Sequence, residues 1–369
     1  MQIKGNIFGR EEKTVTVENG VITAFGGKEE AEILDFGDNL ILPGFIDVHT
    51  HGAMGADTMD ATDEAMQVMK KHMASRGVTA FLPTTVTVPT EAILKSAHAA
   101  KRNENGEGAQ IIGLHLEGPY FSPQNVGAQN PAYIRTPDKN DIDKIVNEIP
   151  GFIRMMSLAP EVEGAENAIR YLKEKGVVAA MGHTKADYET AVRAIQSGVT
   201  EATHLFNCMT GLTHRAPGVV GAALEAPNVF AELICDGVHV SPAAAKVAIR
   251  AKGTDKIVLI SDSIRAAGMP DGEYELGGVP VIVENGTART PGGNLAGSTS
   301  DILACVKNVI SWGFTLSEAV QMASANPAAA IGETGKGKIE KGYDADFTVL
   351  TPSLALKATI VGGKVQYQI

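Results

Sequence analysis

Eight short apolar runs punctuate the middle of the chain: GFIDVH (44–49), VTAFLPTTV (78–86), IIGLHLEG (111–118), IRMMSLAPE (153–161), VVAAMGHT (177–184), EATHLF (201–206), VFAELICDG (229–237) and IVLISD (257–262). Between most of them lie segments whose apolar positions recur with helical spacing, such as ATDEAMQVMKKHMASRG and GAENAIRYLKEKG. Runs that are apolar almost throughout suit strands buried on both faces, as in a parallel sheet covered by helices. Eight such strands with interleaved helices predict a closed (β/α)8 barrel, a fold of about 250 residues. An open doubly wound sheet is the alternative, but no G-x-G-x-x-G follows the first run to support it.

The two ends of the chain have a different texture. KTVTVENGVITAFGG reads as two strands joined at Asn19-Gly20, a two-residue hairpin turn. DFTVLTP and LKATIVGGKVQYQI read the same way, with a turn at Gly362-Gly363. The predicted fold class is therefore α/β: a (β/α)8 TIM-type barrel over residues 43–337, with a small β domain built from both chain termini, 1–42 plus 338–369. Residues 263–299 are rich in Gly and turn formers and predict a short hairpin or lid before the last helices, DILACVKNVISWG and TLSEAVQMASANPAAAIG. GETGKGK (332–338) does not match G-x-x-x-x-G-K-[ST] and reads as a linker back to the β domain.

Composition narrows the function classes. The chain has 369 residues, 44% hydrophobic and 20% charged, as in globular proteins with a sizeable core. A formal net charge of −11 without a basic block disfavours nucleic acid and anionic membrane as partners. Cys208, Cys235 and Cys305 are odd in number and scattered, which suits a reducing compartment rather than a disulfide framework. The N-terminal segment has no apolar signal core, and no window holds about 18 uninterrupted apolar residues. A cytoplasmic protein is expected. Gly accounts for 40 residues, above the usual share of about 7%. Many of them fall just after the apolar runs, where loops of a barrel rim must turn tightly.

Polar residues stand out of place at the ends of these runs. His49 and His51 close the first as DVHTHG, and Glu117 closes the third as HLEGP. His183 ends the fifth, His204 the sixth and Asp262 the eighth. In a barrel the C-terminal ends of all strands meet at one rim, where active sites are built. Imidazole and carboxylate are the ligands of catalytic divalent ions. In His49-x-His51 both side chains point the same way, because the strand period is two. A lone strand-end His is more often a hydrogen-bonded structural residue; His115, deeper in the barrel, stays in that class. Six titratable groups at one rim are better explained by a metal site, since burying them otherwise is costly.

D-V-H-x-H-G, H-L-E-G-P-Y-F, G-H-T, H-L-F-N-x-M, N-L-A-G-S and the closing GYDADFTVL together resemble the N-acetylglucosamine-6-phosphate deacetylases of the amidohydrolase superfamily, over nearly the whole chain. The resemblance implies that Glu117, His183 and His204 hold a divalent metal, with His49 and His51 available for a second ion bridged by Glu117. Zinc, iron, manganese and cobalt all suit such ligands. It implies Asp262 as general base and acid, and Asn207, Cys208, Arg215, His239 and the loop Leu295, Ala296, Gly297 and Ser298 as substrate positions. It also implies a homodimer, in which Arg215 serves the partner's site, and a phosphorylated amino sugar as substrate. Gln129 stands where many members carry His; its amide can still donate to an oxyanion but carries no charge. Cys208 stands where Ala is usual and reads as a packing residue. The expected reaction is metal-dependent removal of the N-acetyl group of N-acetylglucosamine 6-phosphate. The galactosamine epimer, or a cyclic amide, is the alternative substrate. A non-catalytic sugar-phosphate or metal sensor would need no proton shuttle, and Asp262 argues against it.

Overall fold

The computed structural model describes residues 1–27 and 32–369. Eight parallel strands form the ring of the central sheet: β1 (Phe45–Thr50), β2 (Val78–Thr85), β3 (Leu114–Glu117), β4 (Ile153–Leu158), β5 (Val178–Met181), β6 (Val199–Ala202), β7 (Phe230–Ile234) and β8 (Ile257–Ile260), with the two residues Gln110–Ile111 paired beside β2 off the ring. Each pairs with the next in sequence, so the strand order is sequential. Backbone bonds carry the ring around from β8 to β1. The Asp262 N–H donates to the His49 carbonyl at 2.9 Å, and the His51 N–H to the Ser263 carbonyl at 2.7 Å. The expected (β/α)8 barrel is the observed fold.

The strands are shorter than the apolar runs, and the difference has a backbone cause. The third run breaks at Gly113, whose φ of +146° interrupts the extended chain. A Cβ there would lie 2.1 Å from Arg154 Cγ, so only glycine fits the position. β5, β6 and β8 stop before His183, His204 and Asp262, which stand on left-handed backbone with φ of +47°, +33° and +48°.

Helices between the strands follow the predicted spacing. Asp63–Ala74 buries Ala65, Met66, Met69 and Met73 on one stripe, and the Thr62 hydroxyl caps it by accepting from the Ala65 N–H. Ala165–Glu174 buries Ala165, Ala168, Ile169 and Leu172 in the same way. Among the described residues no helix is long and apolar enough to cross a membrane.

A second sheet joins the chain ends. Its central strand, Ile33–Pro43, pairs parallel with Gln2–Ile7 and antiparallel with Phe347–Leu350. The hairpin at Asn19-Gly20 is present, with both residues left-handed at φ +52° and +80°. This sheet has its own core, including Ile3, Ile22, Ile41, Phe347 and Ile360. Lys336 of the glycine-rich linker is buried between Asp344 and Asp346, each 2.7 Å away, so its ammonium is committed to structure. After β8, the turn-rich stretch forms a three-stranded antiparallel sheet, Gly272–Leu276, Val279–Glu284 and Thr287–Arg289, beside the barrel mouth.

Candidate active site

The strand-end residues converge. Glu117 Oε1 lies 3.0 Å from both His183 Nε2 and His204 Nε2, and those two nitrogens are 3.1 Å apart. Across the same carboxylate, His51 Nε2 is 3.4 Å from Glu117 Oε2 and 3.3 Å from Asp262 Oδ1. His49 Nε2 is 3.4 Å from Asp262 Oδ1 and 3.8 Å from Glu117 Oε1. All six side chains are buried. Phe121 stacks on the His183 ring at 4.4 Å between centroids and fixes its plane.

Outer partners set which ring nitrogen faces the centre. His51 Nδ1 donates to the Thr84 carbonyl at 3.1 Å, and His49 Nδ1 to Glu232 Oε2 at 2.9 Å. A carbonyl only accepts, so the Nε2 of His51 carries the lone pair in the neutral ring. Lone pairs and carboxylate oxygens then face one another, and the centre demands positive charge. Without a metal, the imidazoles must supply it. Burial works against protonation of His49, but the charges of Glu232, Asp262 and Glu117 overcome it and push its pKa to about 9. Burial likewise opposes ionisation of Glu117, yet hydrogen bonds from His183, His204 and His51 hold its carboxyl well below the usual range.

A divalent ion satisfies the same demand with neutral imidazoles. Tetrahedral zinc with bonds of 2.0–2.1 Å separates its ligands by about 3.3 Å. The three donors of Glu117, His183 and His204 already stand close to that spacing. His49 Nε2 is buried without a hydrogen-bond partner among the described residues, as a nitrogen kept for a metal would be. The donor set fits a divalent ion.

His115 is different. Its Nδ1 donates to the Val48 carbonyl at 3.1 Å, and its Nε2 bonds the Ser157 hydroxyl at 2.7 Å. Both nitrogens are used, so His115 is structural, as its depth in the barrel suggested.

A cavity of about 610 Å³ opens over the cluster, lined in part by His51, Glu117, Gln129, His183, His204 and Asp262. Asn207, Cys208, His239, Leu295 and Gly297 also line it. Gln129 bridges two groups: its amide N–H donates to Glu117 Oε2 and its carbonyl accepts from the Thr87 N–H. Burial opposes a charge on His239, but its 2.7 Å bond to Asp236 and the Asp236 charge raise its pKa. Ala296 and Ser298 do not line the cavity; Ser298 instead donates through its N–H to the Asp262 carbonyl at 2.8 Å. Arg215 lies on the exposed stretch 211–216 and is likewise not part of the lining.

Two buried acids around the site were not among the predicted residues. Glu232 holds His49, as above, and also accepts from the His204 N–H at 3.0 Å. Asp47 accepts from Ser261 Oγ and from the His49 N–H, and burial raises its pKa to about 7. Both interrupt otherwise apolar runs, which was the available signal.

The profile of the Amidohydrolase family matches residues 40–366. The chain is 40% identical over 366 residues to the N-acetylglucosamine-6-phosphate deacetylase of Vibrio furnissii, covering 97% of this chain and 92% of that protein. It is also 40% identical over 333 residues to the N-acetylgalactosamine-6-phosphate deacetylase of Escherichia coli O157:H7, covering 88% and 87%. Among solved structures, the N-acetyl-D-glucosamine-6-phosphate deacetylase of Mycobacterium smegmatis is similar with a TM-score of 0.93 and 34% identity, over 100% of both chains.

Proposed function

This chain belongs to the amidohydrolase family, and on that premise we propose that it hydrolyses the N-acetyl group of N-acetylglucosamine 6-phosphate, giving glucosamine 6-phosphate and acetate. The observation that carries the reading is the meeting of Glu117, His183 and His204 donors within 3.0–3.1 Å, with Asp262 beside them, at the floor of a sugar-sized cavity.

Glu117, His183 and His204 would hold one divalent ion, and His49 and His51, with Glu117 shared, a second. Zinc, iron, manganese or cobalt would serve. Such an ion, when bound, lowers the pKa of water and polarises the amide carbonyl. Asp262 takes a proton from the attacking water as the new C–O bond forms, and delivers it to the nitrogen as the C–N bond breaks. The Gln129 amide, one N–H of which bonds Glu117, has a second N–H that can donate to the developing oxyanion. His239 supplies a positive group for the phosphate, and Asn207, the Cys208 main chain and the loop residues Leu295 and Gly297 hold the sugar. Arg215 is exposed and outside its own cavity, which supports a homodimer in which it reaches the partner's substrate. A guanidinium fork matches phosphate oxygens. Three free, scattered cysteines support a reducing, cytoplasmic location.

The test is elemental analysis of the purified protein together with acetate release from both epimeric sugar phosphates. We expect bound divalent metal and a higher kcat/KM for the gluco epimer. No acetate from fully metallated protein would overturn the assignment.

A further inference from the structure

Glu232 lies in the middle of β7, in a run that is otherwise apolar, and is fully buried. An acid there is expensive unless its charge is used. One of its oxygens does two jobs. Oε2 accepts from His49 Nδ1 at 2.9 Å and from the backbone N–H of His204 at 3.0 Å. These donors belong to two different clusters, His49 beside His51 and Asp262, and His204 beside Glu117 and His183. Glu232 itself reaches neither His51 nor Glu117 by a hydrogen bond, so its influence runs through the two histidines.

Each bond has a definite consequence. A carboxylate on Nδ1 fixes the proton there, leaving the His49 Nε2 lone pair toward Asp262 and Glu117, where it has no hydrogen-bond partner. The bond to the His204 amide holds backbone at φ +33°, a conformation that an unbraced His leaves readily. The other candidate role, that Glu232 is itself a ligand with His49 and His115, fails on geometry. His115 has both nitrogens engaged, and His49 already turns its Nδ1–H to Glu232.

We propose that Glu232 is the positioning residue of a two-ion centre, orienting His49 for the second ion and bracing His204 for the first. The inference rests on the reading that the cluster binds divalent metal. Loss of such an outer partner typically weakens metal binding about 10–100-fold. The greater effect falls on the ion held by His49, because there the ring itself is released.

The experiment titrates zinc into metal-free wild type, Glu232→Ala and Glu232→Gln against a competing chelator, and follows thermal unfolding with and without zinc. Wild type is expected to take up two ions. Glu232→Ala should bind the weaker ion about 100-fold less tightly, and should gain less in Tm on adding zinc. Glu232→Gln keeps an acceptor in the same volume, so a loss of about tenfold is expected. Should Glu232→Ala not fold, Glu232→Gln alone decides. Two ions bound at wild-type affinity in either folded variant would overturn the proposal and leave the metal reading standing. A wild-type protein that binds no zinc, or only one ion, would remove the two-ion reading and the proposal together.

Discussion

Replacing Asp262 by Asn separates proton transfer from metal binding. The backbone of Asp262 is part of the barrel, since its N–H donates to His49 and its carbonyl accepts from Ser298. Neither bond depends on the side chain. Its φ of +48° lies in the region that Asn and Asp tolerate better than other non-glycine residues, so Asn adds no strain that Ala would. What the change removes is a carboxylate 3.3 Å from His51 Nε2 and 3.4 Å from His49 Nε2. Burial opposes its ionisation, but in the metal-free cluster the His49 charge and the His51 hydrogen bond lower its pKa to about 2. A positioned acid–base group contributes about 10²–10⁴ in rate. At 1.36 kcal/mol per tenfold, that is about 3–5 kcal/mol on the barrier. The assay is kcat and KM for acetate release, with metal per chain measured on the same sample. We expect kcat to fall by about 10²–10⁴, with KM and metal content near wild type. Metal loss in step with activity, and recovery on adding metal, would make Asp262 chiefly a ligand and refute the reasoning.

Gly127→Ala should weaken zinc binding about tenfold, because the new Cβ lies 2.6 Å from Cys208 Sγ and 3.0 Å from His183 Cε1 on left-handed backbone. Gly211→Ala, with nothing within 4 Å, is its control, and equal zinc affinity in the two would contradict the packing argument. Burial and the Arg76 charge push the His72 pKa from 6.5 down to about 4. The unfolded chain therefore binds this proton first as pH falls, and stability drops between pH 6.5 and 4 by up to about 3 kcal/mol. Urea unfolding across that range should show a shallower loss for His72→Gln; identical slopes would exclude His72 as the acid-sensitive group.

The barrel was legible because its strands are buried on both faces, and the site because charged and imidazole groups interrupt such strands only for a reason. Residues inside the runs were harder to read. Glu232 and Asp47 sit between apolar neighbours and end no strand, so a search of the run ends passes over them. The family resemblance takes Ala296 and Ser298 together with Leu295 and Gly297, although only the latter two line the cavity.

Backbone handedness was the other hidden quantity. On a strand, only alternate side chains reach the barrel axis, and neighbouring strand backbones stand about 4.8 Å apart. Donors for one ion must come nearer than that, to about 3.3 Å. Ending β5 and β6 early and turning His183 and His204 left-handed takes both rings off the strand spacing and brings their Nε2 atoms to 3.1 Å. Left-handed backbone costs roughly 1–3 kcal/mol at each such residue and persists only where its surroundings fix it. Phe121 against His183 and Glu232 on the His204 amide are those surroundings. The strain is therefore tied to the donor spacing, and the residues that hold it belong to the site as much as the ligands do.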